Sequence, residues 1–471
     1  MTNTASNVSF SVPAPDVLHL IGNTPMVRVR HLDTGICELY LKLESHNPGG
    51  SIKDRIALSM IEAAEREGVI SAGGTLVEAT AGNTGLGLAL VAGQKGYKLI
   101  LVIPDKMSQE KIFHLKALGA EVVITRSDVG KGDPEYYQDM AERIARETPN
   151  AFYVNQFANT HNPLTHERTT GPEILAQMGG DLDAMVVGVG SGGTLTGLGR
   201  YFAMHSPETK MILADPKGSI LAPLVNEGIT IEAGSWMVEG IGEDFVPDNC
   251  DLSFVAEAHT ITDAESIATA RELLQKEGII CGSSSGTLIA TALRYCRAQT
   301  TPKRVVTFVC DSGNKYLSKI YNEYWLDDHG FVAREQEHSL RDLIIRPYRK
   351  GSAITVNPGD TLQAAYRKMK MYDVSQLPVM QRQQGRETLV GIMDETDILL
   401  AICGNPAGFS IKVAQAMTRE LVTVDVTAAP EDLLPIFKAG MVAIVMEKDE
   451  FLGIITPIDF LQYIRRRVGH G

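Results

Sequence analysis

Ala184-Met-Val-Val-Gly-Val-Gly-Ser-Gly-Gly-Thr-Leu-Thr-Gly197 reads as an apolar strand that runs into a glycine-rich turn and the start of a helix. A strand without polar alternation is covered on both faces, the mark of a parallel sheet flanked by helices. Working outward, the pattern recurs at Thr75–Glu78, Leu99–Ile103, Glu121–Thr125, Lys210–Ala214 and Arg304–Val309, most followed by a helix-like stretch. The fold class is therefore α/β.

Within the opening stretch, Gly190, Ser191, Gly192, Gly193 and Thr194 allow a phosphate to approach the backbone and add two hydroxyl donors. The same glycines are half of a dinucleotide fingerprint, with Asp215 as the ribose acid. That reading leaves three other motifs unexplained. Glu78-Ala-Thr80-Ala-Gly82-Asn83-Thr84 also joins a strand to a helix, as an anion site or as an ordinary glycine-rich turn. Asn47-Pro-Gly-Gly-Ser-Ile-Lys53 makes a turn in which Ser51 can cap a helix with Ile52, Ile56, Met60 and Ala63 on one face. Lys53 then lies in the first turn, where the helix dipole opposes a cation and helps lower its pKa, as an amine attacking a carbonyl requires. A solvated surface lysine is the other reading. Gly282-Ser-Ser284-Ser-Gly286, taken alone, is a serine-rich helix start.

The chain has 471 residues, 44% hydrophobic and 21% charged, enough for two or three domains. No run approaches eighteen apolar residues, so no membrane span is expected. Met1–Pro15 has no basic residue and no apolar core; it reads as a disordered lead-in, not a signal peptide. A net charge of −13 argues against nucleic acid. Arg465, Arg466 and Arg467 read as a helix end complementing its dipole. The cysteines, at 37, 250, 281, 296, 310 and 403, have neither C-x-x-C nor metal-ligand spacing, so no metal is expected and the compartment reads as reducing, by default the cytoplasm.

After Trp325 the character changes. Residues 327–341 are polar and read as a linker, and beyond them a unit repeats. Val356-Asn-Pro-Gly-Asp-Thr-Leu is echoed by Val424-Asp-Val-Thr-Ala-Ala-Pro, and Leu389–Met393 by Phe451–Ile455. The expected domains are 1–335 and 336–471, the latter a pair of repeats at about 343–402 and 412–468.

Ile21-Gly-Asn-Thr-Pro25, Lys53, the Ala81–Gly85 loop, the Gly190–Thr194 loop and the Gly282–Gly286 turn occur in this order over about residues 18 to 326. This series resembles the tryptophan-synthase-β family of pyridoxal-phosphate (PLP) enzymes, fold type II, in its O-acetylserine sulfhydrylase and cystathionine β-synthase branch. The resemblance implies a two-lobed catalytic domain in which Lys53 forms the Schiff base with PLP. It implies that Gly190 to Thr194 hold the phosphate, Asn83 the 3′-oxygen and Ser284 the pyridine nitrogen. A hydroxyl there does not force protonation of the ring, which suits β-elimination to an aminoacrylate more than transamination. Freed Lys53 would take the α-proton, and Thr80, Gly82, Asn83, Thr84 and Gln156 would bind the substrate carboxylate. Relatives usually have Ser where this chain has Ala81.

Two features lean toward the cystathionine β-synthase side of the branch. Val238–Phe245 resembles its version of a closing loop, where Glu239 would meet the amino group of homocysteine; an exposed loop acid is the other reading. The C-terminal pair resembles a tandem CBS (Bateman) module. In such modules Thr456-Pro-Ile-Asp459, and in the first repeat Asp397, would face an adenosyl ligand, S-adenosylmethionine or AMP, although the short Lys438–Met441 connection narrows the second repeat. Only about twenty residues precede Ile21 and no C-x-x-C follows the phosphate loop, so no haem is expected. The implied reaction joins serine to homocysteine, giving cystathionine and water, in a homodimer or larger assembly. The alternatives are cysteine synthesis from O-acetylserine and an adenosyl-sensing regulator with a silent PLP domain.

Overall fold

Leu76, Val77, Val186, Val187, Val305 and Val306 are all buried, so the apolar runs do form strands covered on both faces. The computed structural model describes residues 13–80, 82–105, 109–130, 132–332, 339–349, 351–383 and 385–468. Ala81, most of Met1–Pro15 and residues 333–338 of the linker stretch thus lie outside the described residues. The chain divides into two units, 1–321 and 322–471.

The strands of the first unit are β1 (Met26–Arg28), β2 (Glu38–Leu43), β3 (Thr75–Glu78), β4 (Lys98–Pro104), β5 (Glu121–Thr125), β6 (Ala151–Tyr153), β7 (Ala184–Gly188), β8 (Lys210–Pro216), β9 (Val255–Ile261) and β10 (Arg304–Val309). They form a six-stranded sheet, β1-β2-β10-β7-β8-β9, and a four-stranded sheet, β5-β4-β3-β6. Every pairing is parallel except β1 with β2. In the smaller sheet, Leu76, Leu101 and Ile103 meet the helices Lys53–Arg66 and Asn83–Lys95. Val77 and Val102 face the opposite way, onto Ala141 and Ala145 of helix Tyr137–Glu147. Parallel strands direct their carboxyl ends to one edge, where ligands of such sheets bind. The turns after β3, β7 and β10 all open there.

A buried ion network ties the lobes together. Arg55 donates from Nε and one terminal nitrogen to both oxygens of Glu44, each at 2.8 Å, and from its two terminal nitrogens to Glu173 at 2.7 Å. Lys42, wholly buried in β2, reaches Glu173 at 2.7 Å. The Ile21–Pro25 segment is bound to the same carboxylates: Thr24 donates to Glu44, and the Asn23 N–H to Glu173. Ile56, Met60 and Ala63 are buried as the spacing predicts, and Ser51 accepts from the Lys53 N–H at 3.2 Å.

The second unit holds two small sheets, β11 (Gln376–Gln383) with β12 (Arg386–Asp394), and β13 (Thr423–Asp425), β14 (Ala443–Glu447) and β15 (Glu450–Ile455). Each has its own core. The polar stretch 327–341 is not all linker. Asp327 and Asp328 end a helix that starts at Glu323, and Leu340 packs with Leu343 into the core of the second repeat.

Removing Arg55 would leave the buried Glu44 without a cation and Glu173 with Lys42 alone. Arg55→Met should lower the stability of the full chain by about 3–5 kcal/mol in urea unfolding. An unchanged midpoint would show that the network does not hold the lobes.

Candidate active site

At the shared edge lies a cavity of ≈ 270 Å³. One wall is the turn between β7 and helix Gly193–His205. Gly192 takes a left-handed φ of +82°, and a Cβ on it would stand 2.5 Å from Cys250. A Cβ on Gly190 would meet the Gly240 carbonyl at 2.5 Å, and one on Gly193 would overlap Asn162 Oδ1 at 1.9 Å. Only glycine fits at these points. Asn162 Nδ2 donates to Ser191 Oγ at 2.9 Å, while its buried Oδ1 has no partner among the described residues. Thr194 Oγ1 lies 3.2 Å from His166 Nε2, and burial holds that imidazole well below its usual pKa, hence neutral. Bare N–H groups at a helix start with two hydroxyls make an anion seat.

Lys53 lines the same cavity, and its ammonium has no hydrogen-bond partner among the described residues. Burial is the main cause lowering its pKa, opposed by Cys310 and Glu243. The dipole argument pointed the right way, but desolvation dominates. Asn83, first residue of its helix, also lines the cavity and is held at both ends of its amide. Nδ2 donates to Asp311 at 2.8 Å, and Oδ1 accepts from Lys315 at 2.7 Å. Asp311 accepts from Tyr316 as well, at 2.8 Å. Asp311, Lys315 and Tyr316 were not legible as site residues, although Asp311 stands just beyond the end of β10.

Thr80, Gly82, Thr84, Gln156 and Ser284 complete the lining used here. Thr84 donates to Gln156 Oε1 at 2.6 Å, and the Gln156 N–H donates to Glu78 at 3.1 Å. Ser284 stands in the first turn of helix Ser283–Arg297, and its neighbour Ser285 accepts from the Cys310 N–H at 2.9 Å. Glu239 is placed differently. It is not among the lining residues; its carboxylate pairs with Lys319 at 2.6 Å and its N–H donates to Ser283 at 3.0 Å. Asp215, the candidate ribose acid, is fully buried and accepts from the Ala222 N–H at 2.8 Å, which leaves the dinucleotide reading without its acid. Among the described residues, no cluster of His, Cys, Asp or Glu could hold a metal, and no helix is long and apolar enough to cross a membrane.

The second unit carries a cavity of ≈ 340 Å³ lined by Thr456 and Asp459, with Tyr324 and Arg346 beside them. Thr456 donates to Asp459 from both N–H and hydroxyl at 2.7 Å. The short Lys438–Met441 connection does not close this space, because its facing wall, Asp373–Gln376, comes from the first repeat. Asp397 forms a capping box with Asp394 and accepts from Thr418.

The family model described as pyridoxal-phosphate dependent enzyme matches residues 17–311, and that of the CBS domain matches 340–404 and 413–466. The chain is 36% identical to cystathionine beta-synthase of Dictyostelium discoideum, over 96% of this chain and 92% of that protein. It is 40% identical to cysteine synthase 1 of Neurospora crassa, over 69% of this chain and 88% of the other. A hydrogen sulfide-producing enzyme from Fusobacterium nucleatum superposes with a TM-score of 0.60 at 37% identity, covering 65% of this chain and all of that one. The cavity suits the cofactor that the family is described by: an anion seat at a helix start, a primary amine without a partner among the described residues, and a neutral hydroxyl on one concave surface. The chain belongs to the pyridoxal-phosphate dependent enzymes of fold type II, and carries a tandem CBS pair C-terminal to the catalytic fold in sequence.

Proposed function

We propose that the chain joins L-serine to L-homocysteine by β-replacement, releasing water and forming cystathionine. The observation that carries this reading is the convergence of Lys53, of Thr80, Gly82, Asn83 and Thr84, of Gly190, Ser191, Gly192 and Thr194, and of Ser284 on one cavity, with Gly193 in the same turn but not among the lining residues. The near full-length similarity to a cystathionine beta-synthase, CBS pair included, supports the choice of substrates. In this reading Gly190, Ser191, Gly192, Gly193 and Thr194 hold the cofactor phosphate. Asn83 meets the ring 3′-oxygen and Ser284 the ring nitrogen. When bound, the cofactor supplies an electron sink for the pair left on the substrate α-carbon. Lys53 anchors the cofactor aldehyde and, once displaced by substrate, takes and returns the α-proton; its lowered pKa suits both tasks. Thr80, Gly82, Thr84 and Gln156 orient the substrate carboxylate. Glu239 would have to leave Lys319 to reach an incoming amino group.

A second reading, cysteine synthesis from O-acetylserine and sulfide, is favoured by the similarity to cysteine synthase 1. Steady-state kinetics with serine and O-acetylserine, each against homocysteine and sulfide, separate the two. The first reading expects the highest kcat/KM for serine with homocysteine; a preference for O-acetylserine with sulfide would replace it. Borohydride reduction of the holoenzyme should fix the cofactor covalently on the wild type and not on Lys53→Ala, which should also lose nearly all turnover; a fully active variant would refute the assignment.

The glycine seat gives a separate check. Gly193→Ala should weaken cofactor binding at least tenfold in absorbance titrations, since each 1.4 kcal/mol of lost fit is a factor of about ten. Gly93→Ala, where a Cβ has no neighbour within 4 Å, should bind as wild type. Equal affinities for both variants would remove the phosphate assignment.

For the C-terminal cavity we propose an adenosyl ligand, with Asp459 accepting from the ribose hydroxyls and Thr456 beside it. Asp397, committed to its capping box, would serve a second site only by opening it. Calorimetry should show heat with S-adenosylmethionine or AMP that Asp459→Ala abolishes. No heat with either would leave the pair as a scaffold.

A further inference from the structure

The titrating side chains on the lining of the catalytic cavity are Lys53, Cys310 and Glu243. Burial pushes the Cys310 thiol up to about 12, so it is a poor proton donor at neutral pH. Glu243 is different. Its backbone is fixed: the N–H donates to Ser219 Oγ at 3.1 Å and the carbonyl accepts from the Ile220 N–H at 3.1 Å. Gly242 before it has a φ of +88° and no room for a Cβ, which would meet Pro216 at 2.4 Å. The side chain, in contrast, has no hydrogen bond or ion pair among the described residues, and it reaches toward the β7 turn, 4.0 Å from where a Cβ on Gly190 would stand.

We propose that Glu243 is the acid–base group for the β-substituent, protonating the departing hydroxyl of serine and then taking the proton of the incoming thiol. The proposal rests on the β-replacement reading and deepens it by naming what makes serine usable. Hydroxide is a poor leaving group and needs a proton; acetate leaves without one. As the Cβ–O bond breaks, its electron pair stays on oxygen, which receives the Glu243 proton and departs as water. The Glu243 carboxylate then accepts the S–H proton while the sulfur pair forms the S–Cβ bond. Lys53 removes and restores the α-proton. Glu243 ends as it began, and no oxidant or reductant is involved.

The groups acting on Glu243 are Lys53, Asp215 at the end of β8, the adjacent Asp244, Tyr136 and Tyr137, and Cys250. Burial, then Asp244 and Asp215, push the carboxyl up to about 8 against the pull of Lys53. It is therefore protonated at neutral pH and loses its proton as pH rises through about 8. Turnover with serine should fall through that interval, and turnover with O-acetylserine should lack this limb.

The test uses full-length holoenzyme with homocysteine and either serine or O-acetylserine. Glu243→Gln should lower kcat for serine about 100-fold and kcat for O-acetylserine far less, because in the second reaction Glu243 keeps its proton throughout and the thiol gives its own to the released acetate or to solvent, with Glu243→Asp recovering part of the serine rate. Infrared difference spectra should show a protonated carboxyl band titrating near pH 8 in wild type and missing in Glu243→Gln. Retained cofactor absorbance certifies that the variants are folded. Equal loss with both amino acids, or a Glu243 carboxyl already ionised at neutral pH, would overturn the proposal. A wild type inactive with both would overturn the β-replacement reading itself.

Discussion

Arg55 carries the constraint on which the catalytic unit depends. Its planar fork is shared between Glu44, which follows β2, and Glu173, which lies on helix Gly171–Gln177, while Arg55 itself sits two residues beyond Lys53. A lysine could not replace it, because a point charge cannot bond two carboxylates along fixed edges. The arrangement fixes the first turn of the Lys53 helix to the larger sheet. It also explains why Ile21–Pro25 belongs with the site motifs although none of its residues lines the cavity: Thr24 and Asn23 donate to those same carboxylates, beside Asn47 and Lys42.

What could be read from the sequence followed how strongly each local signal depended on distant contacts. β3, β4, β7 and β10 are apolar runs whose burial is written in their own residues. β2 is not, since Lys42 inside it looks like a surface residue until Glu173 and Gln177 are brought to it by the fold. β9 mixes exposed, half-buried and buried positions without a clear period and resembles a loop edge. The glycine turns were legible because steric need leaves one choice of residue. Asp311 and Glu243 were not, because a carboxyl in a loop gains its character only when the chain strips water from it.

The Val238–Phe245 loop shows this most clearly. It contains two glutamates four residues apart, and sequence reasoning chose the first. Glu239 meets Lys319 and is set among ordinary charges, whereas Glu243, behind a left-handed Gly242, lines the cavity without a partner among the described residues. Burial of the second and pairing of the first are tertiary facts. No periodicity within the loop distinguishes them.

The way Asn83 is held settles which hydrogens are available to a guest. An amide can ordinarily be turned end for end at little cost. Here Lys315 has only hydrogens to give, so the Asn83 oxygen must face it, and the nitrogen must face Asp311. One of the two N–H bonds is used on Asp311. The other is the amide's one unspent donor, and an atom settling against it must bring a lone pair. The side chain thus presents a guest with an N–H of fixed direction, which suits an oxygen anion or a carbonyl.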